Sequence, residues 1–259
     1  MTLILDKAEA MFAEKGYNVP LVEVGEHAGV DTALMRYYFG DKEELFRAVF
    51  ARRAGMINEL RLKALRDYRE LGDKMTLEGA IDAFVRSPFE KMHEDEGWRN
   101  YMAIVSYVNS SRGLLPTLMS DTFDHVSHEL IADMRRLLPD ASEEDIYWGY
   151  QFLTGSFTFS LGATGRIDKL SDGLVSSRDA LEIANRLPTV IAAGIRAMCE
   201  DAAKRRATAP ADRRDSRAAR AAKKPDRERP GEVVPVPRAR LTTGPNGPRN
   251  VRRRPRPAP

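Results

Sequence analysis

The chain has 259 residues, of which 42% are apolar and 31% charged, and it contains a single cysteine. These proportions are ordinary for a globular protein and allow one or two domains with buried cores. Without a charged-then-apolar leader or a run of about 18 apolar residues, the sequence predicts neither secretion nor membrane spanning, and it favours a reducing cytoplasm.

The net charge of +3 is the sum of two opposite parts. Residues 203–259 hold 18 Lys and Arg against 5 Asp and Glu, whereas the remaining residues hold 23 against 33. The basic segment is rich in Pro, Arg and Ala with few large apolar residues, so we expect a disordered tail over 203–259. A solvated tail and a non-specific DNA tether remain alternatives for its role.

Two amphipathic helices are predicted before residue 30. The first covers residues 3–15 and ends at Gly16, because apolar residues recur at i, i+4, i+7 and i+8. These residues are Ile4, Ala8, Met11 and Phe12. The second is shorter and carries the stripe Leu21, Val24 and Ala28. Pro20 falls in its first turn, where an N–H group is not needed.

Residues 28–45 are the most informative stretch. Gly29 allows the positive φ of a sharp turn, and Asp31 can cap the helix that follows. Met35, Tyr38 and Phe39 form an apolar stripe on this helix, which ends at Gly40. Thr32, Ala33, Arg36 and Tyr37 fall on the other side. A short helix with one buried and one polar face, after a tight turn, predicts a helix-turn-helix over about residues 20–39.

The next helix begins with a variant of the capping box, since Asp41 is followed three residues later by Glu44. Lys42 lies in its first turn, where free backbone N–H groups form a phosphate site.

Three segments resemble the N-terminal signature of the TetR family of transcriptional repressors. They are FAEKGY at 12–17, AGV at 28–30 and YFGDKEEL at 38–45, and the resemblance covers about the first 50 residues. The chain departs from the family at Val19 and Pro20, where Thr or Ser is usual, and at Arg36, which replaces a phosphate-binding Tyr. Arginine can grip phosphate or read guanine with two hydrogen bonds.

The resemblance implies a double-stranded DNA operator as partner, bound by a homodimer. We expect the major groove to be contacted by Thr32, Ala33, Arg36 and Tyr37, and the DNA backbone by Tyr38 and Lys42.

Helical periodicity continues through the rest of the body and predicts an all-α fold. We expect helices over 42–65, 74–93, 97–109, 116–139, 142–165 and 179–202. Pro88 should kink or divide the second of these. Pro188 should kink the last or lie in the first turn of its final helix. Residues 157–161 alternate like a strand but lie within a longer helical pattern, so they are interpreted as helix. The predicted domains are 1–50 for DNA binding, 51–202 for effector binding and dimerisation, and the tail 203–259.

The last two long helices are the predicted dimer interface, because they are apolar nearly all round. Small residues there permit close helix approach: Gly149, Gly155, Ser156, Gly162 and Ala163. Aromatic residues add contact area: Phe152, Phe157 and Phe159. In the family, two such helices from each subunit form an intermolecular four-helix bundle.

Large adaptable side chains are concentrated in the middle helices. We expect a pocket for a small apolar effector lined by Trp98, Tyr101, Val105, Phe123, Trp148 and Phe152. The alternative is an ordinary core, since aromatic residues at helical spacing usually only pack together. Arg112, Gln151 and Asn109 are unranked candidates for a polar contact. The pattern over 146–155 also resembles, weakly, the fatty-acid-responsive members of the family.

No catalytic constellation is present, so we predict neither an enzyme nor a cofactor. Asp121, His125 and His128 share one helix face and have metal-ligand chemistry, but such residues are common on exposed helices and no metal is predicted.

The sequence therefore predicts a cytoplasmic, homodimeric, ligand-responsive DNA-binding regulator, most simply a repressor that leaves a palindromic operator when it binds its effector. The alternative is an architectural DNA-binding dimer without an effector, which uses its basic tail for bulk affinity.

Overall fold

The structure is a computed structural model that describes residues 1–112 and 115–208. In these ranges the chain forms ten α-helices and no strand, which confirms the all-α class. The helices are α1 (Thr2–Lys15), α2 (Leu21–Ala28), α3 (Thr32–Phe39), α4 (Lys42–Arg69), α5 (Leu77–Glu94), α6 (Glu96–Ser110), α7 (Leu115–Leu137), α8 (Glu143–Leu161), α9 (Arg166–Leu170) and α10 (Ala180–Thr208). None of these described helices is both long and apolar enough to cross a membrane.

The first three helices share one small core with the start of α4. The four predicted apolar residues of α1 are all buried, and the rings of Phe12 and Phe46 meet edge to face with centroids 4.9 Å apart. Gly29 has the left-handed φ of 65° that the turn between α2 and α3 requires. Asp31 accepts a hydrogen bond of 2.5 Å from the N–H of Ala33. The predicted helix-turn-helix is therefore present.

The N-terminus of α4 forms only half of the predicted capping box. The Asp41 carboxylate accepts a hydrogen bond of 3.0 Å from the N–H of Glu44. In a full capping box the Glu44 side chain would accept from the N–H of Asp41. That N–H donates instead to the carbonyl of Phe39 at 2.8 Å.

The turn after α2 depends on a second glycine, Gly25. A Cβ atom at this position would lie 2.8 Å from the carbonyl oxygen of Val30, whose N–H donates to the Gly25 carbonyl. Because the opposing atom is backbone, we expect Gly25→Ala to lower the free energy of unfolding by about 1–3 kcal/mol. Chemical denaturation measures this loss.

Gly55→Ala is the matched control. Gly55 lies within α4, and a Cβ there would meet nothing within 4 Å. Because alanine favours a helix over glycine, this variant should be as stable as the wild-type protein or more so. Equal stability of Gly25→Ala and wild type would contradict the close approach at the turn.

The long helix α4 connects the first three helices to the rest of the body, and the predicted domain boundary near residue 50 lies inside it. Arg53 of α4 binds the buried Glu9 of α1 through two hydrogen bonds of 3.0 Å. The same guanidinium lies over the ring of Trp98 of α6, 4.6 Å from the ring centroid. These contacts join α1, α4 and α6, and the division at residue 50 stays a prediction.

Helix α5 is not divided at Pro88, contrary to one of the two outcomes predicted for this residue. Proline has no N–H, so the carbonyl of Phe84 loses its donor within the helix. The Nε–H of Arg61 replaces that donor at 2.9 Å. A hydrogen bond from another helix thus allows α5 to continue.

Helix α8 begins with the predicted cap at Ser142. The Ser142 hydroxyl accepts from the N–H of Asp145 at 3.2 Å, and the Asp145 carboxylate accepts from the N–H of Ser142 at 3.3 Å. Residues 157–161 are helical, as predicted, although α8 ends at Leu161 rather than near Gly165. The five-residue helix α9 was not predicted, because it is too short to show a period.

Helix α10 continues to Thr208, so residues 203–208 are helix and not part of a disordered tail. Arg206 forms an ion pair with Asp145 and a hydrogen bond of 3.2 Å to the hydroxyl of Ser142. These contacts stabilise the end of α10 against the start of α8. Residues 209–259, which contain the rest of the predicted tail, lie outside the described residues.

An ion pair between Glu78 of α5 and Arg196 of α10 predicts acid sensitivity. Hydrogen bonds from Arg196 lower the pKa of Glu78 from 4.5 to about 2. The pair therefore stabilises the fold fully above pH 4.5, and this contribution is lost as the pH falls towards 2. We expect Glu78→Gln to lose less stability than wild type between pH 7 and pH 3, as measured by denaturation at both values.

The side chains of this pair are partly exposed, so solvent screening makes the effect smaller than the pKa shift alone would give. Glu200→Gln is the control, since Glu200 is exposed on α10 and forms no ion pair with another described residue. An acid profile of Glu78→Gln identical to that of wild type would rule out this contribution.

Candidate nucleic-acid interface and ligand cavity

Helix α3 is held to the N-terminal core by one face and leaves the other to solvent. Met35 and Phe39 are buried, as predicted. Ala33 and Arg36 are exposed, and Tyr37 is 81% exposed, which is unusual for a large aromatic residue. The sequence of α3 therefore places a large polar-tipped ring outside the fold, where it can contact another molecule.

Tyr38 does not belong to the buried stripe in which the sequence pattern placed it. It is 47% exposed, and its ring meets that of Tyr37 edge to face with centroids 5.4 Å apart. The reason is that α2 and the start of α4 cover only a narrow face of α3, and Met35 and Phe39 occupy it. Thr32, at the first position of α3, is half-buried.

Arg36 and Lys42, the two cations predicted to contact DNA, differ in their surroundings. Arg36 is exposed and forms no ion pair with another residue in the described ranges. The Nζ of Lys42 lies over the ring of Tyr17, 4.2 Å from its centroid. Lys42 and Glu43 open α4, so their N–H groups have no acceptor within the helix. Together these groups can bind an anion such as a phosphate.

The nearby cations are paired with acidic residues. Lys15 lies 2.5 Å from Glu23, and Arg47 lies 2.7 Å from Glu43. The hydrogen bond between Lys15 and Glu23 raises the pKa of Lys15 and lowers that of Glu23. These pairs leave Arg36 as a cation at the outer face of α3 with its charge uncompensated by the described residues.

A cavity of about 360 Å³ lies in the helical body between α4, α5, α6, α7 and α8. This volume is near the lower end of the range for small-molecule sites. Apolar residues from all five helices contribute to its lining, among them Ile57, Phe84, Met102, Met119 and Leu161.

Half of the residues predicted for a pocket line this cavity. Tyr101, Val105 and Phe123 do so. Trp98 is buried but does not line it: its ring packs edge to face on Tyr101, with centroids 6.0 Å apart. Trp148 and Phe152 are exposed on the outer face of α8, where their rings stack with centroids 6.0 Å apart.

The polar candidates for a ligand contact are also divided. Gln151 and Asn109 line the cavity, and Asn109 donates a hydrogen bond of 3.1 Å to the hydroxyl of Thr158. Arg112 instead lines a second cavity of about 340 Å³ near the N-terminal helices, together with Tyr17 and Tyr107.

Arg61 is the most unusual residue of the cavity wall, and it is not among the residues predicted for the pocket. It is 5% exposed, and its guanidinium lies over the ring of Phe84, 3.6 Å from the centroid. Burial lowers the pKa of Arg61 to about 10, which leaves it charged at neutral pH. One signal was available: Arg61 follows Ile57 and precedes Leu65 by four residues each, so it lies on the buried face of α4.

Buried hydroxyl groups accompany this cation. The hydroxyl of Tyr101 is buried and has no hydrogen-bond partner among the described residues, and burial raises its pKa. The hydroxyl of Tyr150 donates to Ser127 at 2.6 Å, and its pKa is also raised by burial. The cavity lining thus combines apolar side chains with about as much polar surface, to which Arg61 and these hydroxyl groups contribute.

The residues considered for a metal lie apart from this cavity. Asp121, His125 and His128 are exposed on α7. Within the described part of the chain, no group of three or more His, Cys, Asp or Glu side chains is placed to hold a metal ion.

Comparison with known families gives two matches along the chain. A profile described as "Bacterial regulatory proteins, tetR family" matches residues 4–49, which contain α1 to α3. A profile described as "Tetracyclin repressor-like, C-terminal domain" matches residues 82–194, which contain most of the helical body. No curated protein sequence matches the chain.

Solved structures of regulators share this fold. The fatty acid degradation regulator FadR from Bacillus halodurans is 16% identical, with a TM-score of 0.53, over 74% of this chain and 98% of that chain. FadR from Bacillus subtilis, solved with stearoyl-CoA, is also 16% identical, with a TM-score of 0.55 over the same shares. A TetR-family regulator from Bordetella parapertussis is 15% identical, with a TM-score of 0.53 over 73% of this chain and 91% of that chain. At these identities the likeness concerns the fold alone.

Proposed function

The chain belongs to the TetR family of bacterial transcriptional regulators, and from this premise we propose that it is a cytoplasmic, homodimeric repressor that leaves a palindromic operator when a small ligand enters its cavity. The observation that carries the DNA-binding part is the outer face of α3. It presents Arg36 and the 81%-exposed Tyr37 on a helix anchored from behind by Met35 and Phe39.

This face fits a major groove in size and chemistry. A helix of eight residues can lie in the groove with its first turns against the base edges. In our proposal Thr32, Ala33, Arg36 and Tyr37 contact bases. Tyr38 and Lys42 contact the sugar-phosphate backbone, the latter together with the first N–H groups of α4.

The proposed dimer interface is an apolar strip on α8 and α10. Trp148, Phe152 and Phe159 are exposed at i, i+4 and i+11 on α8, and Val190 is 67% exposed on α10. Gly155 lies within the strip, and a Cβ there would meet nothing within 4 Å, which suits close approach by a partner helix. A two-fold dimer through this strip presents two copies of α3, which implies a near-palindromic operator.

Some residues predicted for this interface lie inside the subunit instead. Phe157 is buried, and its ring meets that of Phe89 with centroids 5.5 Å apart. Gly149 faces Ile195 and Met134, and Gly162 faces the hydroxyl of Ser106. The reason is that α8 packs against α6, α7 and α10, so only one of its sides is open.

A chain of packed residues connects the cavity with the DNA-binding helices. Tyr101 lines the cavity and packs on Trp98, which lies under the guanidinium of Arg53. Arg53 in turn binds Glu9 of α1. In our proposal a ligand against Tyr101 favours an arrangement of these helices in which the two copies of α3 no longer match the operator.

The experiment that tests this function is selection of duplexes from a random DNA library by the full chain, followed by footprinting. We expect enrichment of a near-palindrome with half-sites about one helical turn apart. Release of this duplex by a compound from a small-molecule panel tests the effector part. Binding without sequence selectivity or any small-molecule effect would favour the architectural alternative instead.

A further inference from the structure

Five arginines along α4 are buried or half-buried, and they are not equivalent. Four of them are paired with carboxylates: Arg47 with Glu43, Arg52 with Asp6, Arg53 with Glu9, and Arg69 with Asp133 and a second carboxylate on α7. Arg61 lies between Arg53 and Arg69 and is the most buried of the five, yet no carboxylate of the described residues lies within ion-pair distance of it. An unpaired buried charge is costly, so this position calls for an explanation.

The hydrogen bond to Phe84 accounts for only one of the five N–H donors of the Arg61 guanidinium. The other donors have no acceptor in the described ranges, and the side chain forms part of the cavity wall. The buried hydroxyl of Tyr101, also without an acceptor there, lines the same cavity and interacts with this guanidinium electrostatically. Unused donors of Arg61 therefore lie at the wall of this cavity.

We propose that the ligand of this cavity is an apolar acid, whose carboxylate binds the Arg61 guanidinium and the Tyr101 hydroxyl. This inference rests on the proposed function, because it assigns the chemistry of the effector. A carboxylate matches the paired donors of a guanidinium and would compensate its buried charge. The body of the ligand lies against Ile57, Met102 and Phe123, which line the cavity.

The other charged residue at the cavity favours a single anionic group. Asp124 also lines the cavity, but it is exposed and forms no ion pair with Arg61. Its carboxylate would repel a second negative charge on the ligand. A monocarboxylic acid thus fits the described lining better than a neutral molecule or a dianion.

The test compares acids with alcohols of the same shape. Octanoic, decanoic, dodecanoic and 2-naphthoic acids are titrated into the full chain beside the corresponding alcohols. Binding is followed by calorimetry and by tryptophan fluorescence, to which Trp98, next to Tyr101, contributes. We expect at least one acid to bind about 10- to 100-fold more tightly than its alcohol, the range for a charge-assisted hydrogen bond.

Substitutions assign this preference to Arg61. Arg61→Gln should abolish the preference. Arg61→Lys should retain part of it, because it keeps the charge but loses the paired donors, and Arg112→Gln, outside the cavity, should leave it unchanged. If Arg61→Gln does not fold, the wild-type preference and its partial retention in Arg61→Lys support the proposal. Equal affinity for acids and alcohols, no binding of any acid, or a preference that survives Arg61→Gln would each overturn it.

Release of the selected DNA duplex is measured separately. Acids that bind through Arg61 but leave the duplex bound would support this inference while removing the ligand-release part of the proposed function. Release of the duplex by a neutral compound, without any preference for acids, would support the ligand-release part of the proposed function and overturn this inference.

Discussion

Replacing Arg36 by alanine is expected to weaken operator binding by roughly 30- to 25,000-fold. A guanidinium that makes two hydrogen bonds to a guanine contributes about 1–3 kcal/mol of discrimination, and a symmetric dimer loses two such contacts. Arg36 is exposed on α3 and forms no ion pair with other described residues, so the substitution should not disturb the fold. Titration of the selected duplex at fixed salt measures the loss, and sedimentation confirms the dimer.

The matched control is Arg178→Ala, which removes the same charge from an exposed position between α9 and α10. It should bind the operator nearly as well as wild type, because it changes only the long-range field. A competition series separates the two possible roles of Arg36. Loss of base discrimination at one position indicates guanine readout, whereas a uniform loss with a shallower salt dependence indicates phosphate binding. Normal operator affinity of Arg36→Ala would contradict its assignment to the interface.

Placing a carboxylate in the apolar strip of α8 is expected to weaken both dimerisation and operator binding, by a factor within the range given for Arg36→Ala. Phe152 is 55% exposed in the single subunit and stacks on Trp148. In the proposed dimer Phe152→Glu would bury two unpaired charges near the two-fold axis. We expect the dimer dissociation constant to rise by about 100-fold or more, because the buried charges have no partner. Operator affinity should fall as well, because a monomer binds one half-site without the second, linked subunit that strengthens binding of the dimer. Sedimentation equilibrium and operator titration measure the two effects.

Leu71→Glu is the control for this change. Leu71 is 48% exposed after the end of α4 and is not one of the strip residues, so the same chemical substitution should alter neither dimerisation nor operator binding. Circular dichroism should show that Phe152→Glu keeps its helices, since the side chain contributes little to the core of its own subunit. A stable dimer of Phe152→Glu with normal operator affinity would refute the assignment of the strip.

The helices and their ends were predictable because their causes are local. A cap such as Asp31 or Ser142 acts within three residues, and a stripe such as that of α1 repeats within two turns. Helix α3, the proposed recognition helix, was identified for the same reason. The local pattern missed the short helix α9, the missing half of the α4 capping box and the continuity of α5 through Pro88. It also misplaced the ends of α8 and α10 and the side of α3 on which Tyr38 falls.

The cavity required the tertiary structure. Periodicity shows that Trp98, Tyr101 and Trp148 lie on apolar faces of helices, but not whether a face meets the core, a cavity or solvent. Trp148 proved exposed, Trp98 packed behind the wall, and Tyr101 lined the cavity. These outcomes depend on how five helices from distant parts of the chain pack together.

The sequence by itself determined the all-α class, the helix-turn-helix with its exposed Arg36 and Tyr37, and the caps of α3 and α8, because each follows from contacts within a few residues. Only the tertiary structure decided that Arg61 would be buried without a counter-ion in the described ranges. Its environment is made by Phe84 and Pro88, more than 20 residues away on another helix, where a proline leaves a carbonyl for Arg61 to bind. The helical periodicity of the sequence does not show that Arg61 and Phe84 are in contact.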